Sequence, residues 1–343
     1  MIEQADLEAA VTAKLLTAGQ RDALTEFVRT RNRATLGADE EQFRFITSFN
    51  DIFVTIAVAL LLFAVGFIGG QFEPWVAAGS VAAVSWALAE HFTRVKRMSL
   101  PSIVLLLTFV GSSFATAGTV ITAITGLEGN VGIGEGSVYA VIAGLVTCAA
   151  AAAHWRRFQV PITVAAGAAA VSGIVVSLVA ASSAGNVQFV LGATALCGVA
   201  MFAVAMRFDF SDRERSTRRT DIAFWLHFFA APMIVHPLFV LSGVRGGILS
   251  NIEAAGVVAT YLVLTAVALA IDRRAFLVSA LLYMGWAVQA LFEGAAPVEM
   301  GVAYTALVLG LFLVLLSAGW RPIRSRVVAM LPSDLSTKLP VTA

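Results

Sequence analysis

The sequence predicts an all-α, polytopic membrane protein with about ten transmembrane helices arranged as consecutive hairpins. Of its 343 residues, 59% are hydrophobic and only 13% are charged, whereas soluble domains carry about 25% charged residues. The charges cluster in short patches between apolar runs of about 20 residues, the length that a helix needs to cross the hydrocarbon core. The formal net charge of +1 gives no basic field, so we expect no nucleic-acid partner.

Residues 1–48 precede the first apolar run and predict a cytosolic two-helix hairpin followed by a linker. Apolar residues recur at helical spacing within 7–15 and again within 24–28. Between them, Thr17 is followed three residues later by Gln20. This is the pattern of a capping box, and it predicts the start of the second helix.

Residues 49–320 are predicted to form the transmembrane domain. Each of its ten apolar spans is long enough to cross the bilayer as a helix. The spans cover residues 51–70, 74–90, 100–124, 137–154, 159–182, 187–206, 222–241, 254–271, 275–292 and 299–319. After them, residues 321–343 mix arginines with apolar residues, which predicts a cytosolic interfacial helix and a tail.

The segments that connect the spans alternate strictly between basic and non-basic. "HFTRVKRM", "HWRRF", "RFDFSDRERSTRRTD", "IDRR" and "WRPIRSR" are basic, and the segments between them carry almost no Lys or Arg. With the N-terminus inside, 22 of the 23 Lys and Arg residues lie in the cytoplasm and Arg245 is the exception. The positive-inside rule therefore predicts that both termini are cytoplasmic.

The seventh span contains "FWLHFFAAPMIVHPLF", an apolar run with two prolines in its interior. Pro232 and Pro237 each remove one backbone hydrogen bond, to the carbonyls of Phe228 and Met233. Because lipid offers no partner for these carbonyls, we expect a structural helix break here, either a kink or a partly unwound segment buried in the bundle. Interrupted helices of this kind often hold the substrate site of transporters.

The same span holds His227 and His236, nine positions apart and thus on opposite faces of a straight helix. As functional groups, they would serve as a proton relay, a substrate contact, or a ligand for a haem or metal shared with another helix. We favour a structural interpretation, in which neutral imidazoles hydrogen-bond the carbonyls freed by the prolines. Gln289 and Tyr283 of the ninth span complete the candidate substrate-binding set.

No Asp, Glu, Lys or Arg lies in the central part of any predicted span, which argues against an ion-coupled pump. The cysteines, Cys148 and Cys197, lack metal or redox spacing. No nucleophile–base pair and no nucleotide motif is visible. The sequence therefore predicts no enzyme, no catalytic residue, no metal site and no cofactor.

Three stretches carry a resemblance to known proteins. They are "VTAKLLTAGQRDALTEFV", "SFNDIFVTIAVALLLFAVGFIGG" and "WALAEHFTRVKRMSLPSIVLL". The chain resembles bacterial polytopic inner-membrane proteins whose domains have no assigned function, which implies a bacterial inner-membrane location and no particular chemistry. Ten helices with both ends inside are also similar, in topology alone, to the drug/metabolite transporter superfamily, whose two five-helix halves are inverted.

Two functional hypotheses follow. The first is a small-solute transporter or permease, with its site at the span 222–241 and a polar cavity that reaches His227 or His236. The second is a non-transporting membrane scaffold or sensor, in which residues 1–48 bind a protein partner. Under this second hypothesis, the helices pack tightly and enclose no cavity.

Overall fold

The computed structural model describes residues 4–35, 49–126, 133–212, 215, 217–241, 250–292, 298–336 and 339. The predicted linker 36–48 and Arg245 lie outside these residues. Where the chain is described it is helical and contains no strand, so the all-α prediction is confirmed.

A small N-terminal unit contains two helices, α1 (Gln4–Thr12) and α2 (Ala18–Thr35). Thr17 and Gln20 form the predicted capping box. The Thr17 backbone N–H donates to Gln20 Oε1 at 3.0 Å, and the Gln20 backbone N–H donates to Thr17 Oγ1 at 3.3 Å. Two otherwise unpaired donors are thereby satisfied at the start of α2.

The second unit contains one helix for each of the ten predicted spans, followed by two short helices. The long helices are α3 (Phe49–Gly70), α4 (Pro74–Ala89), α5 (Ser99–Thr125), α6 (Ile133–Phe158), α7 (Ile162–Ser182), α8 (Val187–Ser211), α9 (Arg218–Leu241), α10 (Asn251–Ile271), α11 (Ala275–Phe292) and α12 (Val298–Ala318). The short ones are α13 (Trp320–Ala329) and α14 (Ser333–Ser336). A π-helical turn, Glu90–Val95, continues α4.

Eight of the ten helices within the described residues are long and apolar enough to cross a membrane. α4, with 16 residues, and α11, whose apolar part is Phe276–Phe292, fall short of this length. Large apolar side chains such as Phe53, Phe63 and Phe67 point outward, as expected where lipid is the solvent. The eight helices indicate an integral membrane protein, while the count of ten crossings stays a prediction.

The tightest helix pairs are those joined by basic turns: α4 with α5, α6 with α7, α8 with α9, and α10 with α11. Close approach of α8 and α9 depends on Gly198. A Cβ atom at this position would lie 2.9 Å from Met233 Cβ and 3.0 Å from the Met233 carbonyl carbon. The missing side chain therefore lets the two backbones come together.

α9 is continuous from Arg218 to Leu241 and contains both prolines. Of the two forms of helix break expected at Pro232 and Pro237, partial unwinding is not seen, and a kink stays a prediction. Each proline removes a single backbone hydrogen bond, and α9 packs against α7, α8 and α11. Those contacts hold the helix in spite of the two missing bonds.

The hydroxyl-rich helix α5 satisfies its polar groups internally. Thr108, Ser112, Thr116 and Thr119 each donate to a backbone carbonyl four residues earlier, at 2.5–2.9 Å. Ser85 of α4 adds one contact across the helices, to Thr108 at 3.0 Å. Each of these hydroxyl groups therefore has an acceptor within its own helix, as is usual for Ser and Thr in apolar helices.

Candidate functional site

Charged side chains from many helices meet at one end of the bundle, which we call the basic end. Four pairs define it: Arg157 with Glu90, Arg218 with Gln159, Arg273 with Asp209, and Arg215 with Asp272. The basic segments of the sequence are thus brought together in space.

The centre of the basic end is a triad from three elements: Asp209 of α8, His227 of α9 and Arg273 of the α10–α11 turn. His227 Nε2 lies 2.9 Å from Asp209 Oδ2. Arg273 binds the same carboxylate with two nitrogens, Nη2 at 2.5 Å from Oδ1 and Nε at 3.3 Å from Oδ2. This bidentate geometry is the strongest form of arginine–carboxylate contact.

All three triad side chains are sealed from solvent, with exposed fractions of 0% for His227, 1% for Asp209 and 2% for Arg273. The Asp209 carboxylate is paired with the Arg273 guanidinium, so it accepts a hydrogen bond from His227 Nε2–H. His227 Nδ1 is buried and has no hydrogen-bond partner among the residues that the structure describes. An added proton on Nδ1 would have no acceptor, and the geometry therefore favours the neutral imidazole.

The structural interpretation of His227 is thus corrected, because its partner is a carboxylate and not a carbonyl freed by a proline. The sequence placed Asp209 in a loop beyond the span 187–206, whereas α8 runs to Ser211 and buries it. One signal for this was present. Asp209 is flanked by Phe208 and Phe210, so the apolar pattern continues past the predicted end of the span.

Asp272, next to Arg273 in the α10–α11 turn, is a second buried carboxylate. Its Oδ2 accepts from Arg215 Nη1 at 2.6 Å, and its Oδ1 accepts from Trp320 Nε1 at 2.8 Å. Arg324 Nε of α13 is 3.7 Å from Oδ1. The two carboxylates therefore connect α8, α9, the α10–α11 turn and α13.

The other predicted site residues form two separate groups. His236 Nδ1 is hydrogen-bonded to the Tyr283 hydroxyl of α11, while the ring of His236 is otherwise exposed. Gln289 lies on α11 as well, but its Oε1 accepts from Thr305 of α12 at 3.1 Å. His227 joins neither group. The four residues do not form one pocket, and their assignment to substrate binding stays a prediction.

Another histidine, His154 of α6, is fully buried between apolar helices. Its Nδ1 lies 3.2 Å from Thr163 Oγ1 of α7, and within the described part of the chain its Nε2 has no hydrogen-bond partner. Trp86, Phe109 and Phe158 surround the ring at centroid distances of 4.6–6.2 Å. No ionic partner reaches it among the contacts of the described chain, which distinguishes it from His227.

The polar cavity expected at His227 or His236 stays a prediction, since the one cavity described lies elsewhere in the bundle. A cavity of about 230 Å³ lies between α5, α6 and α7. Its lining is mostly small and apolar: Phe114, Ala140, Gly144, Thr147, Ala169, Ala170, Gly173 and Ser177. Among the described residues, no group of three His, Cys, Asp or Glu side chains is placed to hold a metal ion.

No family model matches the chain, and neither does a curated protein or a solved structure. Fold and site together define the class: an integral, multi-pass membrane protein in which two buried carboxylates, Asp209 and Asp272, are paired with arginines at one end of the helix bundle.

Proposed function

We propose that this protein is a small-solute transporter or permease of a bacterial inner membrane, with the basic end in the cytoplasm and in a closed state. The observation that carries the proposal is the sealed triad Asp209–His227–Arg273. Ionisable groups inside a membrane bundle are expensive and usually functional. A buried ion pair is also weak evidence for a purely stabilising role.

The cytoplasmic location is supported by the basic turns. Apart from Arg245, every Lys and Arg of the sequence belongs to the N-terminal segment, a basic turn or the C-terminal segment, and the positive-inside rule assigns such segments to the cytoplasm. The triad connects α8, α9 and the α10–α11 turn. It therefore lies where separation of helix ends would open a path from the cytoplasm.

Purified protein in mild detergent tests this proposal when it is screened by thermal unfolding with amino acids, sugars, nucleosides and carboxylic acids. A solute that binds only the folded state raises its stability. Each stabilising solute is then supplied in radiolabelled form to liposomes that contain the protein. We expect uptake by the wild type and by Glu73→Gln, an exposed carboxyl group outside the site, and loss of uptake in Asp209→Asn. If no solute binds or enters, transport is excluded for these classes.

One observation favours the scaffold or sensor as a second candidate. Leu15 and Phe27 of the N-terminal unit are 78% and 60% exposed, and large apolar side chains exposed on a small helical unit suit a protein partner. This candidate predicts a stoichiometric partner that copurifies with the wild type and is lost in a Leu15→Ser, Phe27→Ser variant. Copurification that survives this substitution would remove the N-terminal unit as the binding surface.

A further inference from the structure

Helix α13, near the C-terminus, packs against the bundle through buried and partly buried side chains. Trp320 and Arg324 are 3% and 1% exposed. Ile323, Val327 and Val328 pack against the core formed by α9, α10 and α11. The interfacial location that the sequence predicts for this segment stays a prediction, while the structure adds that Arg324, at its centre, faces the bundle.

The polar contacts of α13 converge on Asp272. Its carboxylate accepts from Trp320 Nε1 and lies 3.7 Å from Arg324 Nε. Arg274 completes the attachment, since its guanidinium carbon lies 4.7 Å from the centre of the Trp320 ring, within the range of a cation–π contact. A single turn, Asp272–Arg274, therefore makes these contacts with α13.

The same turn also anchors the triad. Arg273, the neighbour of Asp272 in the chain, binds Asp209 and donates to the Thr220 carbonyl of α9 at 3.4 Å. Asp272 itself lies in the left-handed region, with φ of 56°, which an aspartate adopts less readily than a glycine. Movement of α13 away from Asp272 would thus disturb the residue that holds α8 and α9 together.

We propose that α13 is a latch: its contact with Asp272 keeps the basic end closed, and its release loosens the ends of α8 and α9 and gives access to Asp209 and His227. The role of the latch in transport rests on the proposed function, whereas the mechanical coupling does not. α13 suits such a role because a ten-residue helix has little stability of its own. Its position depends on the groups that it contacts.

Hydrogen exchange measured by mass spectrometry tests the coupling on the full-length protein in detergent, without any solute. The variant Trp320→Phe keeps an aromatic ring and removes the N–H that Asp272 accepts. We expect exchange in residues 205–212 and 218–227 to become about tenfold faster, as the loss of one hydrogen bond to a charged group implies. Trp286→Phe, which removes a partly exposed indole of α11, is the matched control and should leave these segments unchanged.

Faster exchange that is confined to residues 320–331 would overturn the latch, because α13 would then be docked without holding the other helices. Unchanged exchange throughout would overturn it as well. Asp272→Asn provides an independent second variant, with the same expected pattern, if Trp320→Phe fails to fold. Coupled exchange in a protein that transports no solute would refute the proposed function and leave the latch standing.

Discussion

The two ends of α9 place the same residue type in opposite surroundings. Near the basic end, His227 is fully buried and its Nε2 donates to a carboxylate that Arg273 also binds. Nine residues later, His236 is exposed and its partner is the neutral hydroxyl of Tyr283. Both histidines occur in the same apolar run, and both lie close to a proline in the sequence.

The difference comes from what other helices supply. Basic turns flank α8, α9, α10 and α11 at one end, so buried carboxylates there find guanidinium partners. At the other end α9 meets aromatic residues, and Phe239 stacks on Tyr283 with ring centres 4.5 Å apart. A histidine in an apolar helix therefore takes its role from its neighbours in space. At the basic end of the bundle, the contacts of α9 depend on charge.

The largest expected effect is that of Arg273→Met. This substitution leaves the Asp209 carboxylate buried without its cation, and breaking a buried pair in this way costs about 3–5 kcal/mol. Its chain neighbour Arg274 is exposed, and its side chain contacts the Trp320 ring, so Arg274→Met should cost about 0.5–1 kcal/mol. Unfolding of both variants by titration with a denaturing detergent measures the contrast. Equal losses would show that Asp209 does not need Arg273.

The two histidines should differ when each is changed to alanine. His227→Ala removes a hydrogen bond to a charged group, worth about 1.5–3 kcal/mol, and leaves a buried cavity. His236→Ala removes a hydrogen bond to a hydroxyl group at an exposed position, worth about 0.5–1.5 kcal/mol. Thermal unfolding in the same detergent compares them directly. A larger loss for His236→Ala would reverse the assignment of the two ends.

The contact between α8 and α9 that positions the triad is tested by Gly198→Ala. The added methyl group would meet Met233 and Ile234 at 2.9 Å, and overpacking of this kind costs about 1–3 kcal/mol. Gly192 lies in the same helix with open space around it. Gly192→Ala should therefore stabilise the helix by about 0.5–1 kcal/mol. Stabilisation by both substitutions would mean that the helices are farther apart than in the structure.

A small effect is expected for Pro232→Ala. Because α9 is already helical at this exposed residue, alanine restores an N–H that can donate to the Phe228 carbonyl. The gain should be about 0.5–1.5 kcal/mol, measured as a rise in the midpoint of unfolding. A clear loss of stability would instead indicate that the proline shapes a bend on which the packing depends.

The sequence predicted the helices well because their signal is local. Each signal depends on residues that are close together in the sequence: the length of an apolar run, a basic turn, or the pair Thr17–Gln20. The described helices follow these signals closely. α9 runs through Pro232 and Pro237 without unwinding, because packing by neighbouring helices outweighs a local preference, while the alternative form of the predicted break, a kink, stays a prediction. The orientation and the number of crossings remain predictions.

The site was harder to predict because its contacts are distant in the chain. Asp209 and His227 are separated by 18 residues, Arg273 lies 64 residues beyond Asp209, and Trp320 lies 48 beyond Asp272. His227 alone was identified, without its partners. By contrast, His236 and Tyr283 were both identified, yet nothing in the pattern of either helix indicates that they touch.

The most direct test of the central claim is a double-mutant cycle on Asp209 and Arg273. The free energy of unfolding is measured for the wild type, Asp209→Asn, Arg273→Met and the double variant. If the triad is one ionic unit, the double variant loses less than the sum of the single losses, with a coupling of about 1.5–3 kcal/mol. Losses that add within about 0.5 kcal/mol would show that the two side chains act independently, and the basic end would then not be held by this triad.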